Sequence, residues 1–122
     1  MKIGWRPEAN VIAEVESINN VPVRLTEERW LHIVEYHGEL GNFQPEVLLT
    51  VAEPDQAYFS PVGVEPNFAA VKAFARLVEL GLAENLVVHY KEVSESNGFI
   101  LTAFVMSDKR LSKRFKLWRK LR

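Results

Sequence analysis

Three histidines, His32, His37 and His89, are the side chains of this sequence best suited to moving protons near neutral pH, because an imidazole titrates close to pH 6.5. There is no cysteine, which excludes thiol nucleophiles, thiolate zinc sites and disulfides. The histidines are not spaced four apart on a helix, so no metal site is expected either. Helical geometry separates the first two. At about 100° per residue, Trp30, Ile33 and His37 fall within about 60° of one another, whereas His32 lies about 140° away. His37 is therefore expected to face the core and His32 the solvent. A lone histidine on an apolar face is more often a core residue than a catalyst, so the neighbours of His37 decide its role.

A second group of reactive side chains depends on a turn. Residues 86–93 and 99–106 read as two strands around Ser96-Asn97-Gly98, and Asn-Gly is the strongest short hairpin signal, since both central residues of a type I′ turn need positive φ. A two-residue loop at Asn97-Gly98 would pair Val93 with Thr102 and Lys91 with Phe104. His89, Lys91, Ile100 and Thr102 would then share one side of the sheet. A slip of one residue would reverse that grouping.

The third feature is charge. Residues 109–122 carry eight Lys or Arg and no acid, while the first 108 residues carry seven basic and 16 acidic side chains, so a net charge of -1 conceals an acidic body and a cationic end. On a helical wheel Leu111, Phe115, Leu117, Trp118 and Leu121 occupy one arc of about 160°, with Lys109, Lys113, Lys116, Arg119 and Lys120 opposite. The pattern predicts a basic amphipathic helix. Such a helix can dock on its own domain and offer cations to RNA or DNA, lie on an anionic membrane, or meet a partner protein. For nucleic acid, Lys109, Arg110, Lys113 and Arg114 are the expected phosphate contacts.

The frame that must position these groups is small. At 122 residues with 48% hydrophobic content, one domain with a real core is expected, residues 1–20 forming a peripheral arm or an edge strand. No signal peptide or membrane span is apparent, which predicts a cytoplasmic protein with no membrane partner. Residues 11–18 and 21–25 read as strands joined by an Asn19-Asn20 turn, with Pro22 pointing to an edge position. Thr26 caps a helix that runs through His37 to Gly38, and Glu27 and Glu28 complement its dipole. Pro45 opens a second helix with Val47, Leu48 and Val51 inward, and 56–60 is a brief strand. The spacing of Phe68, Val71, Ala75 and Val78 favours a helix over 68–80, with a strand over 68–74 as the alternative.

The strings Val23-Arg24-Leu25-Thr26-Glu27-Glu28-Arg29-Trp30-Leu31-His32-Ile33-Val34-Glu35-Tyr36-His37, Glu53-Pro54-Asp55, Leu86-Val87-Val88-His89-Tyr90-Lys91-Glu92 and Gly98-Phe99-Ile100-Leu101-Thr102-Ala103-Phe104 resemble those of small phage- and toxin-associated proteins of the barnase, EndoU, colicin and RelE-like (BECR) nuclease superfamily. The resemblance covers roughly residues 21–122. It implies an α+β fold, with N-terminal helices packed on a curved antiparallel sheet of about four strands, followed here by the basic amphipathic C-terminal helix. It also implies metal-independent RNA cleavage without a cofactor. Carried over, the family pattern matches His37 late in the first helix and Thr102 before an Ala-aromatic pair. Lys91 matches a basic strand residue, with Lys72 a second match if residues 68–74 form a strand. Segment 76–85 departs from the pattern by its length. The expected function is a ribonuclease, the toxin of a toxin–antitoxin pair or a phage-associated effector, with RNA and an inhibitory protein as partners. The chemistry suits these groups: His37 and His89 as an acid–base pair, Lys91 and Lys72 beside the developing phosphorane charge, and Thr102 as a donor to a phosphate oxygen. The alternative is a nucleic-acid-binding module that uses the same basic segment without cleaving.

Overall fold

A computed structural model describes residues 10–60 and 67–122. Strand β1 (Val11–Glu16) pairs with β2 (Pro22–Thr26) across a turn in which Asn20 takes a positive φ of 62°, a conformation asparagine tolerates. Thr26 then caps α1 (Glu27–Tyr36), its side chain accepting the Arg29 N–H at 3.2 Å. A 3₁₀ turn at Gly38–Leu40 leads to α2 (Gln44–Ala52), opened by Pro45. There follow β3 (Gln56–Ser60), β4 (Asn67–Ala73), α3 (Ala75–Glu79), β5 (Asn85–Ser94), β6 (Asn97–Met106), α4 (Asp108–Arg114) and β7 (Arg119–Lys120).

The expectation of about four antiparallel strands is corrected. Among the described residues the sheet has seven strands in the order β1-β2-β6-β5-β4-β3-β7, and it is mixed, because β2 runs parallel to β6 at Val23–Gly98 and Arg24–Phe99. The β1–β2 hairpin extends the sheet at one side and the two-residue β7 at the other. Nor is β2 an edge: Pro22 is tolerated because it occupies the first residue of the strand, where a missing N–H costs the ladder least.

Residues 67–73 are a strand, not a helix. Phe68 and Ala70 enter one core while Ala69 and Val71 enter the other, so β4 is buried on both faces and carries a continuous apolar run that imitates helical spacing. The larger core joins this first face of the sheet to α1, α2 and α3 through Ile33, Val47, Val51 and Leu77, with Val23, Leu25, Val88 and Ile100 beneath them. On the second face, Ala69, Val71, Val87 and Met106 pack with Leu111 and Phe115 of the cationic end.

That end is not one helix. Helix α4 stops at Arg114; Phe115 caps it and stacks on Tyr58 at 4.6 Å, and the chain returns as β7 beside β3, where Leu121 N–H donates to Ala57 O at 2.8 Å. Edge pairing with β3 satisfies backbone groups that a continued helix would leave at the sheet margin. Leu117 is consequently 93% exposed, contrary to its place on the apolar arc, while Trp118 remains half-buried.

The hairpin turn also differs. Ser94 pairs with Asn97, so Glu95 and Ser96 form the loop while Asn97 and Gly98 lie in β6. Gly98 serves packing: a Cβ there would sit 2.6 Å from Lys91 O and 3.3 Å from Pro22 O. Irregularities in the pairing of β5 with β6, one between His89 and Tyr90, place Thr102 opposite His89 but Ile100 opposite Tyr90. Thus His89, Lys91 and Thr102 share the second face, as the alternation predicts, and Ile100 turns to the first.

A candidate phosphate-binding pocket beside His37

Helix α1 is directed to the site by the sheet. Pairing of β2 with β6 occurs at Gly98 and Phe99, after which Thr26 turns the chain into α1, which packs along β6. Arg29 Nη1 donates to Leu101 O at 3.2 Å, holding the helix to the irregular part of the strand. The C-cap residue of α1 is His37, whose backbone N–H donates to Ile33 O at 2.7 Å. Its ring lies 5.9 Å from that of Phe104.

From the other side comes α4. Ser107 caps it, its hydroxyl accepting the Arg110 N–H at 3.3 Å, and Asn85 Nδ2 donates to Asp108 Oδ1 at 2.7 Å. With Leu111 and Phe115 buried, Arg110 and Arg114 fall one turn apart on the flank facing His37. The result is a pocket of about 310 Å³ with Phe104, Val105 and Met106 as its apolar wall, His37 and Glu39 on one rim, and Arg110 and Arg114 on the other. The Arg114 guanidinium lies over the Phe104 ring, 5.4 Å from its centroid, a cation–π geometry that restrains the long side chain. Two guanidiniums beside an imidazole suit a phosphate or phosphodiester, the arginines as fixed donors and the histidine as proton carrier.

His89 is a neighbour of this pocket behind the same aromatic ring. It contacts Phe104 at 5.5 Å, Phe115 at 6.2 Å and Trp118 at 5.6 Å between ring centroids. Its Nε2 is buried and has no hydrogen-bond partner among the described residues. Burial, reinforced by the charge of Arg114, pushes its pKa down to about 4, so at neutral pH the ring is uncharged.

Of the other residues singled out in the sequence, Thr102 stays beside His89 and the lysines are dispersed. Thr102 is paired with His89 and half-buried. Lys91 lies on the same face, but four residues along β5 from Val87, the partner of Phe104, a span of about 13 Å at 3.3 Å per residue. Lys72 is on the opposite face, where Nζ donates to Glu53 O at 2.7 Å and pairs with Asp55 at 3.4 Å, so it is directed at the end of α2 and away from His37. Lys109 and Lys113 are exposed on α4 outside the pocket lining. His32 packs beside Tyr36 at 4.8 Å.

Four pocket residues were not legible as such in the sequence, Val105 and Met106 among them because they read only as strand residues. Glu39 follows His37 by two positions, and that spacing was the available signal; Phe104 was visible as the aromatic of the Ala-aromatic pair but not as a wall. Among the described residues no three His, Asp or Glu side chains cluster as metal ligands, and no helix is long and apolar enough to cross a membrane. No protein-family model, curated protein or solved structure matches this chain.

Proposed function

We propose that the protein is a metal-independent endoribonuclease whose reaction occurs in the His37–Arg110–Arg114 pocket. The observation that carries this reading is the meeting of the C-terminus of α1 with α4, which puts one imidazole and two guanidiniums around one open pocket. In the reaction the ribose 2′-oxygen attacks phosphorus and the bond to the 5′-oxygen breaks, leaving a 2′,3′-cyclic phosphate and a free 5′-hydroxyl. The Glu39 carboxylate takes the proton of the attacking hydroxyl, and the His37 imidazolium gives one to the departing oxygen. Arg110 and Arg114 hold the non-bridging oxygens and offset the charge that grows on them. His89, neutral at pH 7, is not the acid and is assigned to the support of Phe104. In a cell, this activity would be that of a cytoplasmic toxin or phage-associated effector restrained by an inhibitory protein.

The second reading is a nucleic-acid-binding module that does not cleave, favoured by Lys109 and Lys113, which extend the cationic surface beyond the pocket. Incubation of total RNA with the protein, with and without chelator, separates the two. Cleavage insensitive to chelator, lost in His37→Gln with the thermal midpoint within a few degrees of wild type, is the expected result; a general acid supplies about 10²–10⁴-fold in rate. Retarded but intact RNA would leave the module.

A further inference from the structure

One row of residues across the sheet has an unusual composition. Glu14 pairs with Arg24, Arg24 with Phe99, Phe99 with Lys91, Lys91 with Asn67, and Asn67 with Ser60. Cross-strand partners point to the same side. That side is the second face, because Lys91 is two residues from His89 on β5, and Arg24 stands between Val23 and Leu25, which enter the first core. Phe99 is half-buried and belongs to neither core among the described residues. Among the described residues the covering layer on this face reaches His89 through Trp118, and the Phe99 row is the next one along. Arg24 is held in place, with Nε 3.4 Å from Glu14 and Nη1 donating to Asn97 Oδ1.

An aromatic ring between a guanidinium and an ammonium group, on a sheet face, is the arrangement that binds single-stranded nucleic acid: the ring offers a π-face to any base, and the cations track the phosphates. The row is also continuous with the pocket, since Phe99 and Phe104 are five residues apart on the same strand. The irregularity in the pairing sets these five residues of β6 against four of β5, so their separation is about 13 Å, roughly four nucleotides at a stacked rise of about 3.4 Å.

We propose that Arg24, Phe99 and Lys91 form a second nucleotide subsite, in which a base of single-stranded RNA stacks on Phe99 several nucleotides from the phosphate held at His37. This rests on the reading of the pocket as an RNA site. The test uses the full chain and 2′-deoxy oligonucleotides, which bind without offering a nucleophilic hydroxyl. Phe99→Ala is expected to weaken an octamer at least about fivefold while leaving a dinucleotide within about twofold, since a stacked base contributes through its aromatic partner. Phe99→Trp should restore octamer affinity, and Phe99→Leu, which keeps apolar volume without a ring, should behave as the alanine variant if that one is unstable. Full octamer affinity in both Ala and Leu variants would overturn the subsite, as would equal losses on the two ligands. Arg110→Gln with Arg114→Gln should weaken both ligands; if neither is weakened, the pocket reading fails whatever Phe99 does. Absence of binding by either oligonucleotide would overturn both.

Discussion

His37 and His89 touch the same phenylalanine, yet their surroundings assign them different work. His37 is partly open at the mouth of a pocket whose other rim is cationic, whereas His89 is enclosed by Phe104, Phe115 and Trp118 with a buried, unpartnered Nε2. The depressed pKa of His89 makes its protonation a folding problem. Between about pH 6.5 and pH 4 the unfolded chain binds a proton that the folded one refuses, so stability rises with pH across that window and is fully present above it. The span corresponds to a loss on the order of 3 kcal/mol as pH falls from 6.5 to 4. Denaturant unfolding at a series of pH values should show this dependence and His89→Phe should remove most of it. An unchanged pH slope in the variant would mean that the ring is protonated in the native state as easily as in water.

At the scale of elements, legibility followed how local the determining physics was. The start of α1 could be read from Thr26, Glu27 and Glu28 because a cap and a dipole act within one turn, and Pro45 marked α2 for the same reason. Strand β4 was obscured because burial on both faces removes the alternation that identifies a half-buried strand. The hairpin loop was displaced by two residues because Gly98 answers a long-range demand, the close approach of Lys91 O, that no local rule anticipates. For the site, His37, Arg110 and Arg114 were each legible as chemistry, but their convergence depends on where α4 ends. The wheel extends α4 through Leu121, yet edge pairing with β3 stops it at Arg114. Two substitutions test this division. Leu111→Ala should cost about 2–5 kcal/mol, as expected for a buried leucine, and Leu117→Ala less than about 0.5 kcal/mol. Comparable losses at both positions in urea unfolding would restore the single continuous helix.

The whole molecule is polarised by the sheet. Helices α1, α2 and α3 pack on the first face with the main core, while the cationic end crosses the second, leaving β6 by α4 and rejoining the sheet at β3 through β7. An acidic body therefore carries its cationic end on the second face, a distribution suited to a polyanion despite the overall charge of -1. The four cations of α4 divide by position: Arg110 and Arg114 line the pocket, and Lys109 and Lys113 lie outside it. Their replacement should separate affinity from chemistry. Lys109→Gln with Lys113→Gln should weaken RNA binding at all sequences and flatten the plot of log affinity against log salt, by about 0.7 for each single-strand phosphate that is no longer neutralised, with little change in kcat. Arg110→Gln with Arg114→Gln should flatten the same plot and also lower kcat by at least about tenfold, because in the proposed reaction these guanidiniums meet the charge that develops in the transition state. Equal kcat in the two double variants would place the reaction outside this pocket, while an unchanged salt slope in both would remove α4 from the RNA-binding surface altogether.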